Sequence, residues 1–307
     1  MRSRKSSWLG RTGSAVLLTA AGLAVTGTSA YAEDQAYVAV RPESSQLAQG
    51  VTQAHAKPFQ FEIVNFVDSG TTAKNVTVTV DAGKLDRTRV GYLVPSGCTA
   101  NAAGYTCRLG DMSDYSRDFG VPLYSLGEQG AAGTLSVKVS STTPDPYLDD
   151  NSVEVPVTVA PAGYDLVTWA QDVYADVAVD GDDAGETDLT PVRLGHSVAF
   201  DWAIRNYGSR PAKGLRYGFS LPPGLTFAKQ PMGCRVQQSD GYTLAACEQP
   251  NVTLQPGQSF TTDVNLKVGS NVPVGQLHGQ SLYVVDYTTD EIDQGDANTD
   301  FQVFTRR

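Results

Sequence analysis

Hydrophobic and polar positions alternate along much of this chain, and one alternating phrase occurs twice. In the later copy Val198, Phe200, Trp202 and Ile204 alternate with Ala199, Asp201, Ala203 and Arg205. In the earlier copy Phe59, Phe61 and Ile63 alternate with Gln60 and Glu62. A period of two puts every second side chain on one face of a sheet and predicts strands with one buried face. Asn65 and Asn206 end these strands at matching places, followed by the polar turns FVDSGTT and YGSRP. Alternation then resumes at Val76, Val78 and Val80, and at Leu215, Tyr217, Phe219 and Leu221. Each segment runs into a Gly-containing turn, DAGK or PPGL, and then a pair of cysteines. Further strands are predicted at Leu135, Val137 and Val139, and at Val264, Leu266 and Val268. Each copy closes on an Asp/Asn-rich approach to a last strand, DDNSVEVPVTV and DANTDFQVF.

The copies stand about 140 residues apart, far too long for a solenoid unit and right for a complete domain. Each is expected to begin alike, with YVAV from Tyr37 and DVAV from Asp176. The intervening stretch APAGYDLVTWAQD holds the expected boundary, near Pro161. The organisation read from the sequence is therefore 1–32, 33–160 and 161–307. No long stripe of period 3.6 occurs beyond the leader, and many short strands with frequent turns point to β-sandwiches.

Residues 1–32 read as a cleaved signal peptide. Arg2, Arg4, Lys5 and Arg11 form a positive leader, Ala15 to Val25 is an apolar run too short to span a bilayer, and Ala30-Tyr31-Ala32 offers small residues for cleavage before Glu33. No later segment reads as a membrane span or sortase-type anchor, so a secreted, extracellular protein is expected. The whole chain carries a net charge of −10. The leader takes four of the 23 basic residues, leaving 19 against 33 acidic ones, a net of −14. That balance disfavours nucleic acid and anionic membrane surfaces as partners and leaves room for cations.

Four cysteines fall in two close pairs, Cys98 with Cys107 and Cys234 with Cys247. In an exported chain they read as disulfides. Three pairings are open, and the local one is favoured because each pair lies within one copy. Loops this short would stabilise by roughly 3 kcal/mol each in the chain-entropy picture. Zinc is disfavoured, because the spacing is not C-x-x-C and no His lies near either pair.

Catalytic signatures are missing. His55, His196 and His278 are isolated, and no G-x-S-x-G or H-E-x-x-H occurs. Two acidic stretches offer oxygen ligands for Ca²⁺: Asp180, Asp182, Asp183, Glu186 and Asp188, and Asp286, Asp290, Glu291, Asp293, Asp296 and Asp300. EF-hand spacing fails there, with Ala184 at the fifth position and Pro191 at the twelfth counted from Asp180. The competing reading is solvated turns that keep edge strands from pairing with other chains. Tyr105, Tyr115, Tyr124 and Tyr147 read as loop aromatics able to stack on sugar rings or meet a protein, against the alternative that they fill sandwich faces.

The second copy resembles a repeat domain of bacterial and archaeal surface proteins, related to the cell-adhesion-related CARDB domain. The resemblance rests on Asn206, Gly208, Ala212 and Leu215, then Leu221, Pro222, Gly224, Leu225 and Phe227. It continues through Cys234, Cys247, Leu254, Pro256, Gly257, Gln258, Val272, Pro273 and Gly275. The first copy keeps Asn65, Ala73, Val76 and its cysteines but lacks the Leu-Pro before its turn. The resemblance implies an Ig-like sandwich and an extracytoplasmic, often wall-associated setting. The fold class expected is all-β, with two tandem Ig-like β-sandwich domains after a cleaved signal peptide. The expected role is structural or adhesive and non-catalytic, with a cell-wall polymer or another surface protein as partner. No cofactor is expected. A carbohydrate- or calcium-binding sandwich is the alternative.

Overall fold

The computed structural model describes residues 35–66, 71–113, 116–181, 189–285 and 291–307. It is a β protein, its helical content among these residues limited to two short 3-10 turns at Gln53–His55 and Leu148–Asp150. The first ten strands are β1 (Val38–Pro42), β2 (Gln46–Ala48), β3 (Lys57–Asn65), β4 (Ala73–Asp81), β5 (Val90–Tyr92), β6 (Thr99–Ala100), β7 (Gly104–Met112), β8 (Ser116–Ser125), β9 (Gly130–Ser140) and β10 (Ser152–Ala160). They form a four-stranded sheet in the order β1-β3-β8-β5 and a six-stranded sheet in the order β2-β10-β9-β4-β7-β6. The inward set is the one the alternation picks out. Phe59, Phe61 and Ile63 share one core with Val76, Val78 and Val80 and with Leu135, Val137 and Val139, all fully buried. Each such side chain contributes roughly 1.5–3 kcal/mol through burial.

The second sandwich contains β11 (Leu166–Ala170), β12 (Val192–Arg193), β13 (Ser197–Phe200), β14 (Trp202–Asn206), β15 (Ala212–Leu221), β16 (Leu225–Phe227), β17 (Cys234–Ser239), β18 (Tyr242–Leu254), β19 (Ser259–Phe260), β20 (Val264–Val268), β21 (Gly275–Val285) and β22 (Asn298–Arg306). Its six-stranded sheet, β12-β22-β21-β15-β18-β17, repeats the order of the first, down to a parallel edge pair, β12 on β22 as β2 on β10. The facing sheet is cut in two, β11-β14-β19 and β13-β20-β16. Its core is richer in rings. Trp202 meets Phe219 edge-on at 5.1 Å and Tyr217 at 5.2 Å, and Phe200 lies 4.3 Å from Phe301.

The strand correspondence differs from the sequence reading in two places. DVAV at 176–179 is not a strand. The counterpart of β1 is β11: Val38 pairs with Asn65, and Leu166 pairs with Asn206. The short alternation of DVAV imitated YVAV, but pairing to the Asn-ended strand fixes the start. Likewise β20 does not match β9. By position in the sheets, β20 with β19 matches β8, and β9 matches β21. A strand's place is set by its neighbours, which alternation does not encode.

The repeated asparagine has a mechanical explanation. Asn65 Nδ2 donates to Thr71 O (3.2 Å) and Met112 O (2.9 Å), tying the end of β3 to the end of β7. Asn206 Nδ2 donates to Arg210 O (2.8 Å) and Leu254 O (2.9 Å), tying β14 to the end of β18. A buried amide with two donors satisfies carbonyls that the ladders leave open.

Both cysteine pairs are joined locally, Cys98 to Cys107 and Cys234 to Cys247. Each bridge staples an edge hairpin of a six-stranded sheet. Cys234 and Cys247 face each other across β17 and β18, and Cys98 stands one residue before the Thr99–Thr106 pair of β6 and β7. No helix among the described residues is long and apolar enough to cross a membrane. The chain from residue 34 onward forms one compact unit.

Candidate functional site at the seam between the sandwiches

Lys57, the first residue of β3, has the same parity as Phe59, Phe61 and Ile63, and its Nζ lies 5.5 Å from the Phe59 ring centroid. It is completely buried. Its ammonium leaves the mouth of the first core and enters a ring of carboxylates from the second sandwich. Asp165 Oδ2 lies at 2.7 Å, Asp296 Oδ2 at 2.8 Å and Asp293 Oδ2 at 3.3 Å. Lys57 Nζ also donates to Gln46 O at 3.1 Å.

The ring is held from both sides. Ser44 Oγ donates to Asp296 Oδ2 at 2.5 Å. Asp293 Oδ2 accepts from Ser45 N at 2.7 Å and Gln46 N at 2.8 Å. Leu166 N donates to Glu291 Oε1 at 2.8 Å, and Ile292 packs against the first core. The Asp165 carboxylate acts on Lys57 chiefly through its charge and also through a side-chain hydrogen bond. Farther along the seam, Ser209 Oγ donates to Gln49 O at 2.6 Å. Gly295 runs so close to Glu43 that a Cβ there would strike the Glu43 carbonyl oxygen, and a Cβ on Gly257 would strike the His55 ring.

Electrostatics follow from burial. Desolvation alone would lower the pKa of Lys57, but Asp165, Asp296 and Asp293 outweigh it and hold the ammonium far above its ordinary value. Burial pushes Asp165 up, against the pull of Lys57 and with the help of Asp296. Asp296 rises for the same first reason. Burial thus works against the ionised form of Asp165 and Asp296, while Lys57 works for it. Beside it, Glu43 is pushed up to about 8, first by burial and then by Asp118, Glu62, Asp296 and Asp300.

Two adjoining hollows open along the same seam. One, of about 270 Å³, is lined by Pro58, Gln60, Trp169, Arg205 and Tyr207 among others; the next, of about 410 Å³, by Arg117, Gln171, Asp172, Tyr174 and Gln302 among others. Asp118 and Trp169 line both.

Several sequence expectations change here. Asp293 and Asp296 are neither solvated turn residues nor open calcium ligands, because the carboxylates are buried and occupied by Lys57 and backbone N–H groups. Among the described residues no group of three His, Cys, Asp or Glu is placed to hold a metal ion. Asp182, Asp183, Glu186, Asp188, Asp286 and Asp290 lie outside the described residues, as does Tyr115. Asp180 caps the seam side of β14, its backbone N donating with that of Gly181 to the buried Asp201 carboxylate. The described loop tyrosines differ in setting: Tyr105 is a core residue of β7, Tyr124 is half-buried in β8, and Tyr147, tilted against Tyr37 with ring centroids 5.2 Å apart, is well exposed. His55, His196 and His278 lie in three separate elements. Lys57 was the residue that sequence reasoning missed. Its signal was a charge at an inward parity of a predicted strand.

No protein-family model matches the chain, and no curated protein matches it. Solved structures align over most of its length at low identity. The C-terminal domain of the AgI/II polypeptide BspA of Streptococcus agalactiae is 10% identical, covering 89% of this chain and 100% of that one, at a TM-score of 0.26. A putative membrane-anchored protein of Corynebacterium diphtheriae is 10% identical over 88% and 91%, at 0.26. Fibronectin(III)-like modules of Clostridium thermocellum CbhA are 11% identical over 87% and 94%, at 0.19. At such scores these likenesses carry no argument about activity.

Proposed function

We propose that this is a secreted, non-catalytic structural or adhesive protein of the bacterial envelope or exterior, built of two sandwiches, 33–160 and 161–307, fixed to one another. The supporting observation is the seam. Its buried charges join a lysine of one sandwich to three aspartates of the other, an arrangement that suits a stiff spacer better than a hinge. Disulfides fit an oxidising compartment, and the resemblance to CARDB-like repeats fits a place on or outside the wall, with a wall polymer or a surface protein as partner.

Fractionation of the producing cells into medium, wall, membrane and cytoplasm tests the reading. The expected product begins near Glu33 and is found in the medium or in a salt-extractable wall fraction. Recovery in the cytoplasm with residues 1–32 attached would refute it.

A further inference from the structure

We infer that the seam is a modification site, at which Lys57 Nζ condenses with the Asp165 carboxyl to form a covalent amide between the two sandwiches, with Asp296 carrying the protons. The step needs no ligand and no co-reactant. The ion cluster described above is its unreacted state, in which the chain folds.

Asp165 is singled out by what each carboxylate is given. Asp293 Oδ2 accepts from the backbone N–H groups of Ser45 and Gln46, so it is served as a carboxylate. Asp296 Oδ2 accepts from Ser44 Oγ. Asp165 lacks such support. Its Oδ1 is buried and meets no donor among the described residues, and its Oδ2 faces Lys57 Nζ at 2.7 Å. Both side chains are 0% exposed. A buried carboxylate with one oxygen left bare is costly. Condensation removes one carboxyl oxygen as water and cancels both charges.

The reactants are also held in place. The Asp165 main chain is clamped on both sides, its N donating to Asn206 Oδ1 at 3.2 Å and its O accepting from Tyr207 N at 2.8 Å. Lys57 is paired with Leu123 across β3 and β8, and the Phe59 ring lies beside its ammonium. Groups fixed in this way react as though at roughly 10⁵–10⁸ M. A closed apolar wall keeps out the water that would reverse the step.

Asp296 Oδ2 stands 2.8 Å from Nζ, within reach for proton transfer, and its Oδ1 is buried without a partner. Lys57 rests as an ammonium, while burial favours the neutral amine there and the neutral carboxyl at Asp165 and Asp296. The ammonium passes one proton to Asp296. The freed Nζ lone pair attacks Asp165 Cγ as Asp296 protonates a carboxyl oxygen. Asp296 then takes a second proton from Nζ and delivers it to that oxygen. The Nζ–Cγ bond has formed, the Cγ–O bond has broken, one water leaves, and Asp296 returns to its starting form. Each molecule reacts once, so a slow step suffices.

The mature full chain is purified, unfolded, reduced and weighed by electrospray mass spectrometry. It should be lighter than the linear reduced chain by one water, and trypsin should release a branched peptide joining Lys57 to Asp165. D165A should restore the linear mass. D296N should slow the appearance of the lighter form at least tenfold, followed by mass over hours after purification. Melting curves show that each variant folds; where one does not, the wild-type mass and the branched peptide still decide. A linear mass for the folded wild-type chain, a branch at Asp293 or Asp296 instead, or an unchanged rate in folded D296N overturns the proposal. The bond deepens the reading of a fixed seam, but its test does not depend on where the protein resides, so it and the location test fail separately.

Discussion

The two sandwiches share the order of their six-stranded sheets and differ in the sheet that faces it. In the first, β3 and β8 run unbroken and pair along eight positions, Lys57–Leu123 to Val64–Ser116. In the second, the equivalent path breaks at Asp201, and two short sheets replace one. Asp201 is buried, and its carboxylate is used by the backbone N–H groups of Asp180 and Gly181. A strand can carry a buried acid where an incoming segment supplies donors, at the cost of ladder continuity. The asparagines show a parallel difference. Asn65 closes its own sandwich. Asn206 also accepts from Asp165 N and Gly208 N, and so holds the residue whose carboxylate meets Lys57. One copy of the phrase ends a fold unit; the other also anchors the join.

The largest test of this contrast removes the cation. Lys57→Met leaves three buried carboxylates without a counter-charge and should cost about 3–5 kcal/mol in urea unfolding, splitting one transition into two. Adding D165N, D293N and D296N should restore most of the loss, and failure to do so would mean that Lys57 matters through packing. Next, Asn206→Ala should cost roughly 2–3 kcal/mol and Asn65→Ala roughly 1–2 kcal/mol. Equal losses would deny Asn206 its second duty. The smallest effect concerns pH. Glu43 has its folded pKa raised from 4.5 to about 8. Its contribution favours the fold fully below pH 4.5 and is lost as pH rises through about 8, because the unfolded chain ionises first. Glu43→Gln should therefore flatten the fall in stability between these values and raise stability at the alkaline end. An unchanged pH profile would count against the burial of that carboxyl.

Much of this architecture was legible in the alternation. Phe59, Phe61, Ile63, Phe200, Trp202 and Ile204 are all core, as their parity indicated. The break at Asp201 was not legible, since Val198, Phe200, Trp202 and Ile204 keep one parity across it. Gln60 and Val64, on the opposite parity, are buried as well. For Gln60 the reason is the seam, a tertiary effect that a period of two cannot announce. The seam acids were hardest to read. Asp293 lies 236 residues from Lys57, and acids in a polar stretch look the same whether they meet water or a distant ammonium. Lys57 itself was within reach of a stricter reading, because a charge at an inward parity calls for a partner.

The two cysteine bridges have a consequence under load. Each joins neighbours in one sheet rather than the two sheets of a sandwich, at sequence separations of 9 and 13. If the molecule is pulled from its ends, tension passes through the sulfurs and skips the hairpins, removing roughly 30 and 45 Å from the extensible length. A reduced molecule would stretch farther before going taut, so the oxidation state sets the maximum reach of the thread.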